Sequence, residues 1–185
     1  MFLFDVDGTL TPSRKKIDKE FSKFFSNFCK NNDVYLVTGS DRDKTVDQMG
    51  KTLYNKCKRV YNCSGNSVWE KTKNVHTSEW SCPFVLSTYL ELELNASKFP
   101  LRTGKHIETR PGCINFSIVG RNATFPERDQ YVAWDQKIEE RDNLAQNIRR
   151  LFPDLSVTVG GETGLDIAPK GHDKSQILQD FETHD

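Results

Sequence analysis

The chain has 185 residues, 36% of them hydrophobic and 11% aromatic, enough apolar material for one domain or two small ones to bury a core, which excludes a disordered chain. Twenty-six basic residues balance 26 acidic ones, so the overall field attracts neither nucleic acid nor an anionic membrane, and any anion binding has to come from local clusters. The start of the chain lacks the pattern of a signal peptide and no later run has the length of a membrane span, so the expectation is a cytoplasmic protein without a membrane partner.

In chain order, Phe2 to Val6 reads as a buried strand running into a polar turn at Asp5-Val6-Asp7-Gly8-Thr9. Ile17, Phe21, Phe24, Phe25 and Phe28 recur at helical spacing and predict a helix over 17–31 with an aromatic stripe laid on a sheet. Val34 to Val37 is a second strand, closed by Thr38-Gly39-Ser40-Asp41, whose Ser and Asp are good helix caps; Val46, Met49 and Leu53 mark the helix that follows. Val60 to Asn62 and Val68 to Trp69 suggest strands around a Ser64-Gly65-Asn66 turn. This alternation predicts a parallel sheet with helices on its faces.

Beyond residue 73 the texture changes. Pro83 to Asn95 reads as one helix, Cys113 to Val119 as a half-buried antiparallel strand, and Pro126 to Phe152 carries Tyr131, Trp134, Ile138, Leu144, Ile148 and Leu151 at helical intervals. Leu155 to Val159 and Leu165 to Ala168 look like strands flanking Gly160-Gly161. The expected fold is an α/β, Rossmannoid parallel core whose opening segment spans residues 1–73, with an inserted α+β cap over 74–170 and a return to the core at 171–185.

The five cysteines, Cys29, Cys57, Cys63, Cys82 and Cys113, are odd in number and lack paired metal-type spacing, which predicts reduced thiols. His76, His106, His172 and His184 show no ligand spacing either.

The strongest chemical signal is Asp5-Val6-Asp7-Gly8-Thr9-Leu10-Thr11, two carboxylates two residues apart at a strand end. One can attack phosphorus to give an acyl phosphate, splitting a hard displacement into two easier ones. The other can protonate the departing oxygen and later deprotonate the incoming one. Gly8 permits the turn that aims backbone N–H groups at phosphate oxygens. The fixed letters of D-x-D-G-T-L would arise by chance in a chain this long about once in ten thousand.

The extended motif from Phe4 to Arg14 closely resembles the eukaryotic phosphomannomutase family of the haloacid dehalogenase superfamily. So do Val37-Thr38-Gly39-Ser40-Asp41, the run from Ile107 to Arg121, Glu127-Arg128, Gly160-Gly161 with Asp166, and Pro169 to Lys174. The resemblance implies that Asp5 is the nucleophile and Asp7 the general acid/base, with magnesium on the Asp5 carboxylate and the Asp7 main-chain carbonyl. It implies that Thr38, Ser40 and Lys174 bind the transferring phosphate. Arg14, Arg110, Arg121 and Arg128 would grip the sugar and its second phosphate, and Asp166 its hydroxyls. Each arginine alone is an ordinary ion-pair partner; their joint order carries the reading. The implied activity interconverts mannose 6-phosphate and mannose 1-phosphate, supplying GDP-mannose biosynthesis. A hexose 1,6-bisphosphate primes Asp5, hexose phosphates are the partners, and a homodimer forms through the cap. A sugar-phosphate phosphatase would share Asp5, Asp7, Ser40 and Lys174, and an inactive sugar-phosphate binder is the reading from a different class.

The resemblance also implies a further core strand after Lys174 ending in acidic metal ligands. Only Ser175 to Phe181 and Glu182-Thr183-His184-Asp185 follow, so the expectation is an incomplete magnesium site and an open sheet edge beside the nucleophile. Ser64-Gly65-Asn66 stands where the family has an acidic Glu-Asn-Gly turn, and Gly164 where it has a phosphate-binding serine.

Overall fold

The structure, a computed structural model, describes residues 1–12 and 15–181. It divides into two compact units, one formed by Met1–Glu79 with the segment from His172, the other by Trp80–Gly171.

The first unit is built on a five-stranded sheet in the order β1 (Phe2–Phe4), β2 (Val34–Val37), β3 (Arg59–Asn62), β4 (Ser67–Glu70), β5 (Lys73–Thr77). The first three strands are parallel. Each crossover between them carries helix: α1 (Lys19–Asn31) after β1, then α2 (Arg42–Met49) and α3 (Lys51–Tyr54) after β2. β4 and β5 run antiparallel to their neighbours, because the chain reverses between β3 and β4 within Cys63–Gly65, a turn far too short for a crossover. Three successive positive φ angles, 48° at Cys63, 58° at Ser64 and 98° at Gly65, make that reversal. Gly65 is required there twice over, since a Cβ would also stand 2.8 Å from the Ile177 side chain.

Side chains of β2 alternate between two clusters, as a pleated strand dictates. Val34 and Leu36 join Val6, Phe25, Met49, Leu53, Tyr54 and Val60. Tyr35 and Val37 join Tyr61, Val68, Ile177 and Phe181. The return segment, a 3-10 turn over Lys174–Asp180, is seated by Asp180, which accepts hydrogen bonds from the Tyr61 hydroxyl and Arg59, both at 2.8 Å.

Three expectations change here. The helix read through Val46, Met49 and Leu53 is broken at Gly50, whose φ of 78° ends α2 and starts α3. The aromatic stripe of α1 buries Phe25 but leaves Phe24 65% exposed. β5 is a strand that the sequence pattern does not reveal. It pairs with β4 up to Thr77, so the first unit runs on past residue 73.

The second unit stacks helices on one face of an antiparallel sheet. Its strands are β6 (Ile107–Arg110), β7 (Cys113–Phe116), β8 (Leu155–Gly160) and β9 (Gly164–Pro169), ordered β6-β7-β9-β8. Leu86 and Leu90 of α4 (Phe84–Ala96), Tyr131 of α5 (Phe125–Ile138) and Leu144 and Ile148 of α6 (Glu140–Leu151) pack on Ile114, Phe116, Val157, Leu165 and Ile167. The helical run read from Pro126 to Phe152 is two helices, separated at Glu139 by a left-handed backbone (φ 54°). β7 ends at Phe116, short of the expected Val119, although Ile118 and Val119 stay buried. Among the described residues no helix is long and apolar enough to cross a membrane.

Candidate active site

The first unit gathers its chemistry at the carboxyl ends of β1 and β2, where a doubly wound sheet opens. Asp5 follows β1 directly. Its Oδ1 accepts the Val6 N–H at 2.7 Å, and the loop behind it is tied by the Leu10 and Thr11 N–H groups to the Val6 carbonyl, both at 3.0 Å. The side chain is 38% exposed, so the carboxylate is open to a reactant. Lys174, 169 positions later, brings its Nζ to 2.5 Å from Asp5 Oδ2. Two amide side chains brace that return segment: Asn66 donates to the His172 carbonyl at 3.2 Å, and Gln176 to the Ser64 carbonyl at 2.8 Å. Asp173 caps the 3-10 turn by accepting the Ser175 N–H. The Ser175 hydroxyl and N–H together hold its carboxyl below the ordinary aspartate range.

Asp7 is held at both oxygens, by the Ser40 hydroxyl on Oδ2 at 3.2 Å and by Gln48 Nε2 on Oδ1 at 2.8 Å. Thr38 is buried; its Oγ1 accepts the Ser40 N–H at 3.1 Å and its carbonyl accepts from Ser64 N–H. Asn62 locks this corner, accepting the Tyr54 hydroxyl and donating to Thr45 Oγ1, both at 2.8 Å. Asp5, Asp7, Ser40 and Lys174 thus converge, with Thr38 behind Ser40. Gln48 is a site residue that motif matching does not find. Its signal is a polar residue in the buried i, i+3, i+4 face formed by Thr45, Gln48 and Met49.

The second unit holds a separate cluster. Glu108 Oε2 accepts from Arg110 Nη2 at 2.6 Å and from Arg121 Nε at 2.9 Å. Arg110 is 13% exposed at its side chain, and its buried Nε has no hydrogen-bond partner. Burial opposes the charge on Arg110, and Glu108 with Asp166 outweighs it, so the guanidinium stays protonated above the usual arginine range. Asp166 of β9 sits opposite Asn115 of β7 and accepts its Nδ2 at 2.7 Å. Arg128 is engaged apart, by Glu162 at 3.2 Å. Burial pushes the Cys113 thiol beside Arg110 up to about 11. Arg14 and His184 lie outside the described residues.

Among the described residues no group of three or more His, Cys, Asp or Glu is arranged to hold a metal ion. Two acidic residues still fit magnesium, which keeps several waters and is commonly bound by one or two carboxylates plus substrate phosphate.

A haloacid dehalogenase-like hydrolase from Bacteroides thetaiotaomicron has a similar fold, with a TM-score of 0.62 at 14% identity over 97% of this chain and 74% of that one. The parallel sheet and the second α+β unit accordingly define a haloacid dehalogenase-like fold. Residues 21–185 match the profile of the eukaryotic phosphomannomutase family. Phosphomannomutases of Arabidopsis thaliana and Saccharomyces cerevisiae are 33% and 29% identical to it, over 97% and 98% of this chain and 76% and 75% of their own lengths. The chain belongs to the eukaryotic phosphomannomutase family.

Proposed function

We propose that this chain interconverts mannose 6-phosphate and mannose 1-phosphate by passing a phosphoryl group through Asp5. The observation that carries the reading is the approach of Lys174 to Asp5 at 2.5 Å beside a second carboxylate, Asp7, clamped at both oxygens. Asp5 Oδ attacks phosphorus as the bond to the sugar oxygen breaks, and the Asp7 proton goes to that oxygen. In the second half of the cycle Asp7 takes the proton from the sugar hydroxyl that receives the phosphoryl group back. Lys174 offsets charge at the phosphate and Ser40 contacts its oxygens, while buried Thr38 holds the Ser40 N–H from behind.

Magnesium bound at the Asp5 carboxylate and the Asp7 carbonyl would reduce repulsion between the nucleophile and the phosphate dianion. A mutase over a phosphatase is favoured by the half-buried Arg110 and Arg121 pair in the second unit, with Asp166 available to sugar hydroxyls. Such guanidinium groups suit a second, non-reacting phosphate, which simple hydrolysis does not require. A hexose 1,6-bisphosphate activator, a cytoplasmic site and a homodimer through the second unit belong to the same reading; Phe84 and Phe125 of that unit, 82% and 83% exposed, suit a covered surface.

The test supplies mannose 1-phosphate, magnesium and glucose 1,6-bisphosphate and follows mannose 6-phosphate and free phosphate together. Bisphosphate-dependent mannose 6-phosphate is expected. Free phosphate alone would favour the phosphatase, and binding of sugar phosphate without either product would favour an inactive binder.

A further inference from the structure

Gln48 is an odd choice for its place. It sits in the last turn of α2 and is 6% exposed, on the face that otherwise buries Thr45 and Met49. A buried amide has to be compensated by hydrogen bonds, and an apolar residue would pack there at less cost. The compensation runs toward the reactive loop: Nε2 donates to Asp7 Oδ1 at 2.8 Å and to Thr11 Oγ1 at 3.3 Å. With Oδ1 accepting, the amide nitrogen has to be the atom that faces it, and the acid's proton sits on Oδ2, beside a Ser40 hydroxyl that can accept as well as donate. The main-chain carbonyl of Gln48 in turn accepts the Ile17 N–H at 2.9 Å, fastening α2 to the far end of the same loop. Its reach therefore ends on Asp7, with Ser40 on the other oxygen.

We propose that Gln48 is a positioning residue that fixes the rotamer of Asp7, so that its carboxyl group meets the leaving oxygen of the sugar. The proposal rests on the reading of Asp7 as the general acid. Two rigid hydrogen-bond partners from different elements, Ser40 before α2 and Gln48 at its end, leave the carboxyl group little freedom about its side-chain torsions. Proton transfer needs its donor within hydrogen-bond distance of the oxygen it serves, so lost orientation appears as lost acid catalysis.

A positioning role and a merely structural one are separated by leaving-group dependence. Expulsion of a sugar alkoxide needs the proton from Asp7; expulsion of para-nitrophenolate, a far weaker base, does not. Gln48→Met, which keeps chain length and volume, and Gln48→Glu, which keeps shape and polarity, are compared with wild type under single turnover with enzyme in excess. The phosphoryl donors are glucose 1,6-bisphosphate, whose hexose product is the monophosphate, and para-nitrophenyl phosphate. The expected result is that the ratio of hexose release to nitrophenolate release falls about 10- to 100-fold in the variants, on the scale of general acid catalysis. An equal fall with both donors, or no fall in hexose release, overturns the proposal. Loss of the native circular dichroism spectrum in both variants overturns it too, in favour of a packing role.

Asp7→Asn and Asp5→Asn, assayed alongside, test the underlying reading by themselves. Asp7→Asn should lose hexose release selectively, and Asp5→Asn should lose both. If Asp7→Asn is not selective, Asp7 is not the acid and the proposal falls with it. A selective Asp7→Asn beside an unselective Gln48 pair removes only the role of Gln48.

Discussion

Each chemically important side chain of this protein is defined by what its neighbours do to it. Cys113 shows this most simply. Its thiol lies beside Arg110, which favours the thiolate, yet burial dominates and pushes it up to about 11. A group whose pKa is raised stays protonated below that value, so at pH 7 to 8 the thiol is inert despite a guanidinium next to it. Cys113 is therefore expected to react with iodoacetamide at least about ten times more slowly than an unperturbed thiol near pKa 8.5. Rates resolved by peptide mass spectrometry in the native protein check this, and rapid labelling of Cys113 would contradict it. The arginines divide in the same way. Arg110 and Arg121 share one carboxylate, Glu108, and so are preset as a pair, while Arg128 is occupied by Glu162.

Among the elements, helix ends decide where segments begin and break. Asp18 caps α1 by accepting the Glu20 and Phe21 N–H groups, both at 2.9 Å. The Phe21 bond leads the effects that hold its carboxyl below the ordinary 3.8. A lowered folded-state pKa contributes stability that is present above the unfolded value and is lost as pH falls through the folded one. The difference in denaturant stability between wild type and Asp18→Ala is therefore expected to be full at neutral pH and to shrink below about pH 4. A difference that is constant from pH 7 to pH 3 would show that the cap does not act through its charge. The same logic of termini explains the split helices. Gly50 and Glu139 both take positive-φ backbone that stops an α-helix. Only at Gly50 does the residue type advertise this. Glu139 carries a strained conformation that its helical spacing conceals.

At the scale of the whole molecule, the two units differ in how the chain builds them. The first is discontinuous and needs the segment from His172, which supplies Lys174, Ile177 and the Asp180 contacts to β3. The second is one continuous stretch with its own core of fully buried residues, among them Leu86, Leu90, Ile114 and Ile148. Residues 80–171 expressed alone are expected to fold, giving dispersed amide resonances and a cooperative unfolding transition. Leu90→Ala within that segment is expected to cost about 2–5 kcal/mol by cavity formation. A non-cooperative melt of the isolated segment would mean that its core depends on the rest of the chain.

Much of this was legible in the amino-acid sequence because local rules carry it. The apolar run before Asp5, the aromatic stripe before Asn31 and the motif order are periodicities and short-range spacings, and they were sufficient for the α/β class, the carboxylate pair and the family. What lay outside their reach is what depends on partners distant in sequence. Strand β5 has an exposed, polar composition and becomes a strand only because β4 offers it a ladder. Gln48 reads as one more polar helix residue until α2 is packed and its amide meets Asp7. The motifs named Lys174, but not the Asn66 and Gln176 bonds that tie its return segment down across more than a hundred residues. The class of fold and the carboxylate pair are written in adjacent residues, which is why the amino-acid sequence carries them. Tertiary structure alone decided which polar groups share a carboxylate, because hydrogen-bond geometry is set by how elements pack.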